Sequence, residues 1–493
     1  MSSLDVFKPF IRLLPEVRKP ARAPPLNQKI MWTLAALLLF FVMYHVYPIG
    51  VARITTPQSE FMQIIFASKI GSLITAGIGP IVLASIFLQL FAGAKIINVD
   101  LSNPADKAVF SGTQKLLAIL LSFFESGIYV MTGSVPVLGG AGGGSPLFGS
   151  FLMTELFVIF QLAMGSIILL YLDEIVSKHG IGSGISLFIA AGVSLAVVQG
   201  TLGLEGQGLL PTAIRAINEG GSDAIPNALL AFLPLAFTAI VFAASVYAEG
   251  MKVEIPLAFE RMRGFGGRFP IKFLYVSNIP VILASALMLN MQLWAKLLAG
   301  RELILGGANI FQTLANVDPS GRPIGGLLYL LTPSFPNPLL IGGYRTYVEY
   351  LLTSSTELVL PFAGTTLVPE VVHIALYVVF YIVLCVIFGK FWIETTGMGP
   401  KEVAEQLQKQ GLQIPGYRRD PRIIENVLNR YIPTITVLGS AFVGLLAAFA
   451  DLTGALGTGT GILLTVGILY RLYEQLATER MFELYPDLRK FVG

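Results

Sequence analysis

Residues 72–91 read SLITAGIGPIVLASIFLQLF, and this stretch decides how the rest of the chain is interpreted. It is apolar enough for a bilayer, yet Gly77, Gly79 and Pro80 interrupt it near its start. Gly and Pro weaken a helix by about 1 and 3 kcal/mol per residue, so the interruption predicts a broken helix. Membranes tolerate such breaks where protein buries them or where they line a water-filled cavity. On its own, the stretch fits either such a site or a kinked packing helix with a small-residue face.

The composition of the whole chain is that of a polytopic membrane protein. Hydrophobic residues make up 54% of the 493 residues and charged residues 13%, with a mean hydropathy of +0.73. Soluble domains usually carry about 25% charged residues. The formal net charge of +3 is too small to indicate nucleic acid as a main ligand. Cys385 is the single cysteine, which excludes an intrachain disulfide and a cysteine-based zinc site.

The apolar segments predict an all-α fold with ten spans of roughly 20 residues each. Segment 57–70 is amphipathic, too short to cross a bilayer, and leads directly into the interrupted second span. Most of the 33 lysines and arginines fall on the side that holds both termini, so the positive-inside rule predicts that the termini are cytoplasmic. The spans are expected at about 30–49, 76–92, 113–132, 151–172, 183–202, 227–247, 274–297, 369–392, 431–450 and 457–476.

Two of the predicted cytoplasmic loops are long and basic. Loop 249–272 contains Arg261, Arg263 and Arg268, and loop 394–430 contains Arg418 and Arg419. Basic loop residues set orientation and attract anionic lipid headgroups, at about 1 kcal/mol each. Loops of this length with Gly and Pro turns equally fit a docking surface for a cytosolic partner, including one that contains RNA.

The sequence contains no catalytic motif that we recognise. It has neither G-x-x-x-x-G-K-[ST] nor H-E-x-x-H, and GTGTG at 457–461 opens an apolar span without a preceding strand. We therefore expect no enzyme activity, no metal and no cofactor. Glu125 in the third span and Asn290 in the seventh are polar residues inside apolar segments. An intramembrane acid indicates a functional site, although an interhelical hydrogen bond of about 0.6 kcal/mol is an equal alternative for Glu125.

Five stretches, in chain order, resemble the SecY/Sec translocon alpha-subunit family, the channel protein of general protein export, in its archaeal and eukaryotic form. They are SLITAGIGPIVLASIFLQLF, YLDEIVSKHGIGSGISLFI, FPIKFLYVSNIPVILASALMLN, IPGYR and GTGTGILLTVGILYRLYEQ. The resemblance covers nearly the whole chain. It implies ten transmembrane helices in two pseudo-symmetric inverted halves of five, with a broken second helix that forms a plug.

The resemblance also implies a domain layout. It places an interfacial amphipathic N-terminus at 1–28, the first half at 29–202, an external hinge loop at 203–226, the second half at 227–476 and a cytoplasmic tail at 477–493. The implied function is the pore-forming subunit of the export translocon in the cell membrane, which passes unfolded polypeptides and releases hydrophobic segments sideways into lipid. The alternative is a secondary transporter of a small solute, which would need polar residues at the midplane. A membrane enzyme is a third reading, but no motif supports it.

Matching the family's motifs to this sequence implies three groups of channel residues. Spans two, three, seven and eight would border a lateral gate with Glu125 and Asn290 as polar members, while Leu83 stands where a hydroxyl residue is common. A narrow aliphatic ring would seal around varied peptides and gate by dewetting. The implied ring residues are Ile78, Val82, Ile185, Ile189, Ile282 and Leu464, and the implied plug residues are Glu60, Phe61, Ile64, Ile65 and Phe66.

The resemblance finally implies partners. These are a SecE-like and a SecG- or Sec-beta-like small membrane subunit in a heterotrimer, the ribosome, the nascent polypeptide with its signal sequence, and membrane lipid. The signal recognition particle receptor is a further candidate. Arg261, Arg263, Arg268, Arg418 and Arg419 would form the partner-binding face, since guanidinium groups match phosphates in a bidentate way.

Overall fold

The computed structural model gives the arrangement of most of the chain. It describes residues 4–20, 24–52, 69–93, 96–97, 99, 103–140, 143–203, 208–220, 224–259, 266–298, 304–305, 308–309, 314–317, 323–333, 335–336, 338, 341, 343–360, 364–409, 412–413 and 421–484. The predicted plug residues Glu60, Phe61, Ile64, Ile65 and Phe66 lie outside these ranges. So do Arg261, Arg263, Arg418 and Arg419 of the predicted partner-binding face.

Ten long helical segments, which we call spans one to ten, build the fold and confirm the predicted all-α layout. Span six consists of two consecutive helices. In chain order the spans are Leu26–His45, Gly79–Gly93, Pro104–Met131, Phe151–His179, Gly184–Leu202, Ala224–Leu230 with Leu233–Gly250, Ile279–Leu298, Glu370–Thr396, Pro421–Leu452 and Gly459–Leu484.

Shorter elements connect the spans. The connecting helices are Lys8–Ile11, Leu209–Glu219, Gly326–Leu331, Tyr344–Thr353 and Pro400–Lys409, preceded by a single 3-10 turn at Asp5–Phe7. The strands are β1 (Lys252–Phe259), β2 (Gly266–Lys272), β3 (Ile304–Leu305), β4 (Ala308–Asn309), β5 (Asn316–Val317), β6 (Pro323–Gly325), β7 (Ser355–Leu360), β8 (Gly364–Pro369) and β9 (Leu412–Gln413).

Eight of the described helices are long and apolar enough to cross a membrane by themselves, and spans two and ten are the exceptions. Span two is short because its helix begins only at Gly79, three residues later than predicted. Span ten carries Arg471 at its middle and Glu474 and Glu479 in its second half. Two helices are longer than their predicted apolar cores. Span four continues at its C-terminal end to His179, and span nine begins earlier, at Pro421. Hydropathy locates the part of a helix that lies in lipid, and it does not detect polar turns that continue the same helix.

The contacts between spans are repeated in the two halves of the chain. In the first half the contacting pairs include one–four, one–five, two–three, three–four and four–five. The second half repeats this pattern with six–nine, six–ten, seven–eight, eight–nine and nine–ten. The ten-helix, two-half architecture expected from the resemblance is therefore present.

The two halves meet along two seams. Span two contacts spans seven and eight, and span three contacts span seven, which forms one seam. Spans five and ten form the other, where Gly457 lies against Val193 and Val197. Span seven is the most buried of the eight long apolar helices, with 61% of its apolar window inside the protein. It therefore lies between the halves, while helices such as span one present most of their surface outward.

A buried non-helical segment precedes span two, as the Gly-Ile-Gly-Pro interruption predicted. Ser72, Ile74, Thr75 and Ala76 are fully buried although they belong to turns. The backbone of this segment forms hydrogen bonds within the protein. For example, the Leu73 amide donates to the Val46 carbonyl over 2.8 Å. Irregular backbone at membrane depth is tolerated only when protein or water satisfies it in this way.

Three strands from two different loops form one small sheet. β1 pairs antiparallel with β2, in register from Lys252–Lys272 to Ala258–Gly266. The other edge of β1 pairs with β9, with Phe259 opposite Leu412. The two basic loops, which were predicted to contribute to one partner-binding face, are therefore joined by backbone hydrogen bonds.

The loop between spans seven and eight is folded against the start of span eight. Strands β7 and β8 form a hairpin that leads into the helix at Glu370. Glu370 is buried and accepts hydrogen bonds from the hydroxyl groups of Tyr329 and Thr356, while His373 Nδ1 lies 2.9 Å from Glu370 Oε2. Burial raises the pKa of Tyr329, and its hydroxyl therefore remains a proton donor to Glu370.

Candidate functional site

All six predicted ring residues lie in one continuous apolar cluster. Ile78, Val82, Ile189 and Leu464 are buried in it, and Ile185 and Ile282 are partly buried and pack against it. They come from four spans that are distant in sequence, namely two, five, seven and ten. The residues that motif matching selected therefore belong to the main apolar core, which both halves share.

Each of these four spans begins just after a residue with left-handed backbone. Gly77 (φ +55°) precedes span two and Gly182 (φ +75°) precedes span five. The equivalent positions in the second half are Ser277 (φ +55°) before span seven and Thr458 (φ +59°) before span ten. Within the described part of the chain, Ser277 and Thr458 are the only residues other than glycine with positive φ. This conformation costs about 1–3 kcal/mol for such residues and is typical of functional sites.

The positive-φ breaks place the ring residues at helix starts. Ile78 immediately precedes the span-two helix, and its carbonyl accepts from the Val82 amide over 3.0 Å. Ile185 is the second residue of span five, and Ile282 is the fourth residue of span seven. The breaks therefore precede all four ring-bearing helices, and every predicted ring residue lies within the first six residues of its helix or immediately before it.

The predicted gate residues lie on the seam between spans two, three, seven and eight. Glu125 on span three, Asn290 on span seven and Leu83 on span two are all fully buried. Asn290 Nδ2 donates to the Ala286 carbonyl on its own helix, over 2.9 Å. Both carboxylate oxygens of Glu125 and the Oδ1 atom of Asn290 have no hydrogen-bond partner among the described residues. The interhelical hydrogen bond considered for Glu125 is therefore not formed here, and Leu83 has no hydroxyl to supply one.

Of the predicted partner-binding arginines, the structure describes Arg268. It is exposed on β2, and its Nη1 lies 2.8 Å from Glu254 Oε2 on β1. Hydrogen bonds from Arg268 and Lys252 lower the pKa of the Glu254 carboxyl. Arg268 is thus on the three-stranded sheet that links the two basic loops, which supports treating those loops as one surface.

Three polar residues beside the helix breaks were missed in the sequence, although their neighbours were noted. Ser166 and Asp173 lie on span four, and Asn278 lies between Ser277 and the start of span seven. Ser166 and Asn278 each donate to the carbonyl of the residue before a predicted ring residue. Asp173 accepts from the amide of the predicted ring residue Ile185. The available signal was a polar residue on an apolar helix close in sequence to a glycine-rich break.

Comparisons with known proteins agree with this geometry. A protein-family model described as SecY matches residues 72–473. The chain is 44% identical to the protein translocase subunit SecY of Methanocaldococcus jannaschii over 487 residues, which covers 98% of this chain and 99% of that protein.

Two solved structures show the same fold. One, described as the structure of a protein conducting channel, has a TM-score of 0.77 and 42% identity, and the match covers 97% of this chain and 98% of that one. The other, described as Sec61 in the canine ribosome-channel complex from the endoplasmic reticulum, has a TM-score of 0.75 and 41% identity at the same coverage.

Proposed function

The chain belongs to the SecY family, and from this membership we infer that it is the central pore-forming subunit of a protein-export translocon. It passes unfolded polypeptides across the membrane and releases hydrophobic segments sideways into lipid. The observation that carries this function is the full-length similarity to translocase and channel proteins. The location of all six predicted ring residues in or against one apolar cluster that both halves share supports it. The small-solute transporter would require a polar site where these aliphatic residues lie.

The six aliphatic residues are proposed to form the pore constriction. Their side chains are apolar and lack strong directional contacts, so they can rearrange around peptides of varied sequence. A narrow hydrophobic constriction also excludes water when no peptide is present, and this blocks ions. Segment 57–70 is proposed as the plug on the basis of its sequence alone.

The seam between spans two, three, seven and eight is proposed as the lateral gate. Contacts of span two with spans seven and eight, and of span three with span seven, support a closed gate in this arrangement. Spans five and ten form the opposite seam, and residues 203–226 connect the halves beyond span five. Opening one seam while the other stays in contact would expose the constriction to lipid without separating the halves.

The chain is a multi-pass membrane protein, and we propose that it lies in the cell membrane with both termini in the cytoplasm. The lysine and arginine distribution supports this orientation. The domain boundaries at 1–28, 29–202, 203–226, 227–476 and 477–493 are proposed with it. The first segment has exposed apolar side chains, such as Val6 at 74% and Leu13 at 81% exposure, that suit an interfacial location.

We propose that the subunit has no catalytic activity and that its partners supply the driving force. A similar chain has been solved in a ribosome-channel complex, which supports the ribosome as a partner. The sheet of β1, β2 and β9 and its flanking arginines form the proposed docking face. Small SecE-like and SecG- or Sec-beta-like subunits, the signal sequence and lipid are proposed from the family resemblance.

The pore ring is tested by replacing Ile78, Val82 and Ile185 with Gly and measuring the conductance of the resting channel in planar bilayers. We expect ion leakage, because the constriction loses three aliphatic side chains. Since glycine also weakens helices by about 1 kcal/mol each, Val198→Gly on span five is the matched control. Val198 is 52% exposed and outside the ring. Conductance equal to that of the unmodified channel would refute the ring assignment.

A further inference from the structure

Three polar side chains bond to the backbone next to the proposed pore ring residues; Ser166 and Asn278 are buried and Asp173 is half-buried. The first is Ser166 on span four, which is fully buried. Its hydroxyl donates to the carbonyl of Gly77, the residue immediately before Ile78. The neighbouring Gly165 makes the approach possible, because a Cβ atom there would lie 1.9 Å from the Leu73 carbonyl oxygen. Span four therefore holds the backbone from which Ile78 projects.

Asp173, about two helix turns after Ser166 on span four, holds the second ring segment. Its Oδ1 accepts from the Ile185 amide over 2.9 Å and from the Ser183 hydroxyl over 3.2 Å. A Cβ atom on Gly184 would lie 2.5 Å from the Asp173 Cα, so here too glycine permits close contact. The carboxylate thus caps the start of span five at the peptide of a ring residue.

Asn278 holds the ring segment of span ten. Its side-chain Nδ2 donates to the Leu463 carbonyl over 2.6 Å. Leu463 immediately precedes the ring residue Leu464. A Cβ atom on Gly467 would lie 2.2 Å from Asn278 Nδ2, so span ten can approach only because residue 467 is glycine.

The shared geometry has a physical reason. Helix starts leave amide and carbonyl groups without intrahelical partners, and inside a membrane such groups must be satisfied by protein or water. A side chain that satisfies them also fixes the position of the backbone. Flexible aliphatic side chains can seal a constriction only if the backbone that carries them is held at a fixed distance across the pore.

We propose that Ser166, Asp173 and Asn278 are positioning residues that set the resting width of the pore constriction. They act through side-chain hydrogen bonds to the backbone of three of the four ring-bearing segments, those of spans two, five and ten, and do not line the pore. This inference rests on the proposed pore ring. It predicts that removing one such bond widens the constriction while the chain remains folded and assembled.

The test compares matched variants in planar bilayers with the complete complex. Ser166→Ala, Asp173→Ala and Asn278→Leu are each expected to raise resting conductance about fivefold, equivalent to about 1 kcal/mol at 1.4 kcal/mol per tenfold. Asp173→Asn retains an acceptor oxygen for the Ile185 amide, so its resting conductance is expected to equal that of the unmodified channel. Ser122→Ala is the control, because the Ser122 hydroxyl is buried and bonds only within its own helix, to the Ala118 carbonyl over 2.8 Å.

The outcomes separate this inference from the proposed function. Thermal unfolding of each variant first identifies those that remain folded. If the glycine variants of Ile78, Val82 and Ile185 leak but the three positioning variants conduct like the unmodified channel, the positioning role is overturned and the pore ring stands. If the glycine variants also fail to leak, both are overturned. Leakage by Asp173→Asn equal to that of Asp173→Ala would also contradict the hydrogen-bond mechanism.

Discussion

Replacing Glu125 with Gln is expected to favour the closed lateral gate. Both carboxylate oxygens of Glu125 are buried without a hydrogen-bond partner among the described residues. A buried unsatisfied polar group costs about 1–3 kcal/mol, and opening the seam would let water reach the carboxyl and relieve that cost. Gln has nearly the same shape but cannot ionise, so it gains less from hydration in the open seam.

The size of the expected shift towards the closed gate depends on how much of the desolvation cost a buried Gln amide retains. Its amide would be buried at the same place and would retain part of the desolvation cost, so the lower end of the range applies. We expect the closed gate to gain about 1 kcal/mol, which is about fivefold in the closed-to-open ratio.

Signal sequences of graded hydrophobicity provide the assay. The complex is reconstituted in proteoliposomes, and translocation of a secretory substrate is measured by protease protection. A strongly apolar signal gains enough from lipid to open either gate, so its yield should be unchanged. A weakly apolar signal should be translocated about fivefold less by the Glu125→Gln channel.

A second Glu-to-Gln change supplies the control. Glu155 lies on span four, which is not one of the four proposed gate spans, and is partly exposed. Glu155→Gln should leave both yields unchanged. If Glu125→Gln leaves the weak signal unaffected, the gate role of Glu125 fails, and if it increases the yield, the desolvation argument has the wrong sign.

Three further changes test other parts of the structure. Arg418→Glu should weaken ribosome binding about tenfold in a sedimentation assay without affecting membrane insertion, because charged hydrogen bonds to phosphate are lost; equal binding would remove Arg418 from the docking face. Gly165→Ala should lower thermal stability by about 1–3 kcal/mol through overpacking, whereas Gly127→Ala, where a Cβ meets nothing within 4 Å, should be neutral or stabilising by up to about 1 kcal/mol. Equal unfolding temperatures would argue against the close approach of span four. Lys178→Met removes hydrogen bonds to Glu174, Glu16 and the Val17 carbonyl. Limited proteolysis should therefore cleave the N-terminal segment faster in this variant. An unchanged cleavage rate would mean that these bonds do not hold the segment.

The number of spans and the positions of the breaks were predictable because their signals are local. Apolar runs of sufficient length indicate membrane helices, and Gly77, Gly79 and Pro80 mark an interruption wherever they occur in such a run. The same reasoning noted the small residues before spans five, seven and ten. It did not show that Ser277 and Thr458 adopt positive φ, since neither residue type favours that conformation.

The contacts that organise the site could not be read from the sequence, because their partners are far apart in it. Asn278 and Leu463, for example, are 185 residues apart. The pairing of β9 with β1 involves a strand of only two residues, which has no detectable alternation. The ring residues were selected by family resemblance, and periodicity alone would have assigned them to an ordinary core. Glu125 and Asn290 stood out as polar residues in apolar spans, but only the resemblance assigned them to a gate.

The short second span has a consequence for how this protein is itself made. Its helix has 15 residues, which at about 1.5 Å per residue covers about 22 Å of a hydrocarbon core about 30 Å thick. The remaining depth is crossed by the non-helical segment whose backbone is satisfied by Val46 and Ser166. Ser166 is synthesised long after span two. A newly made span two therefore cannot settle in lipid alone, and biogenesis must keep it sheltered until span four emerges and completes its hydrogen bonds.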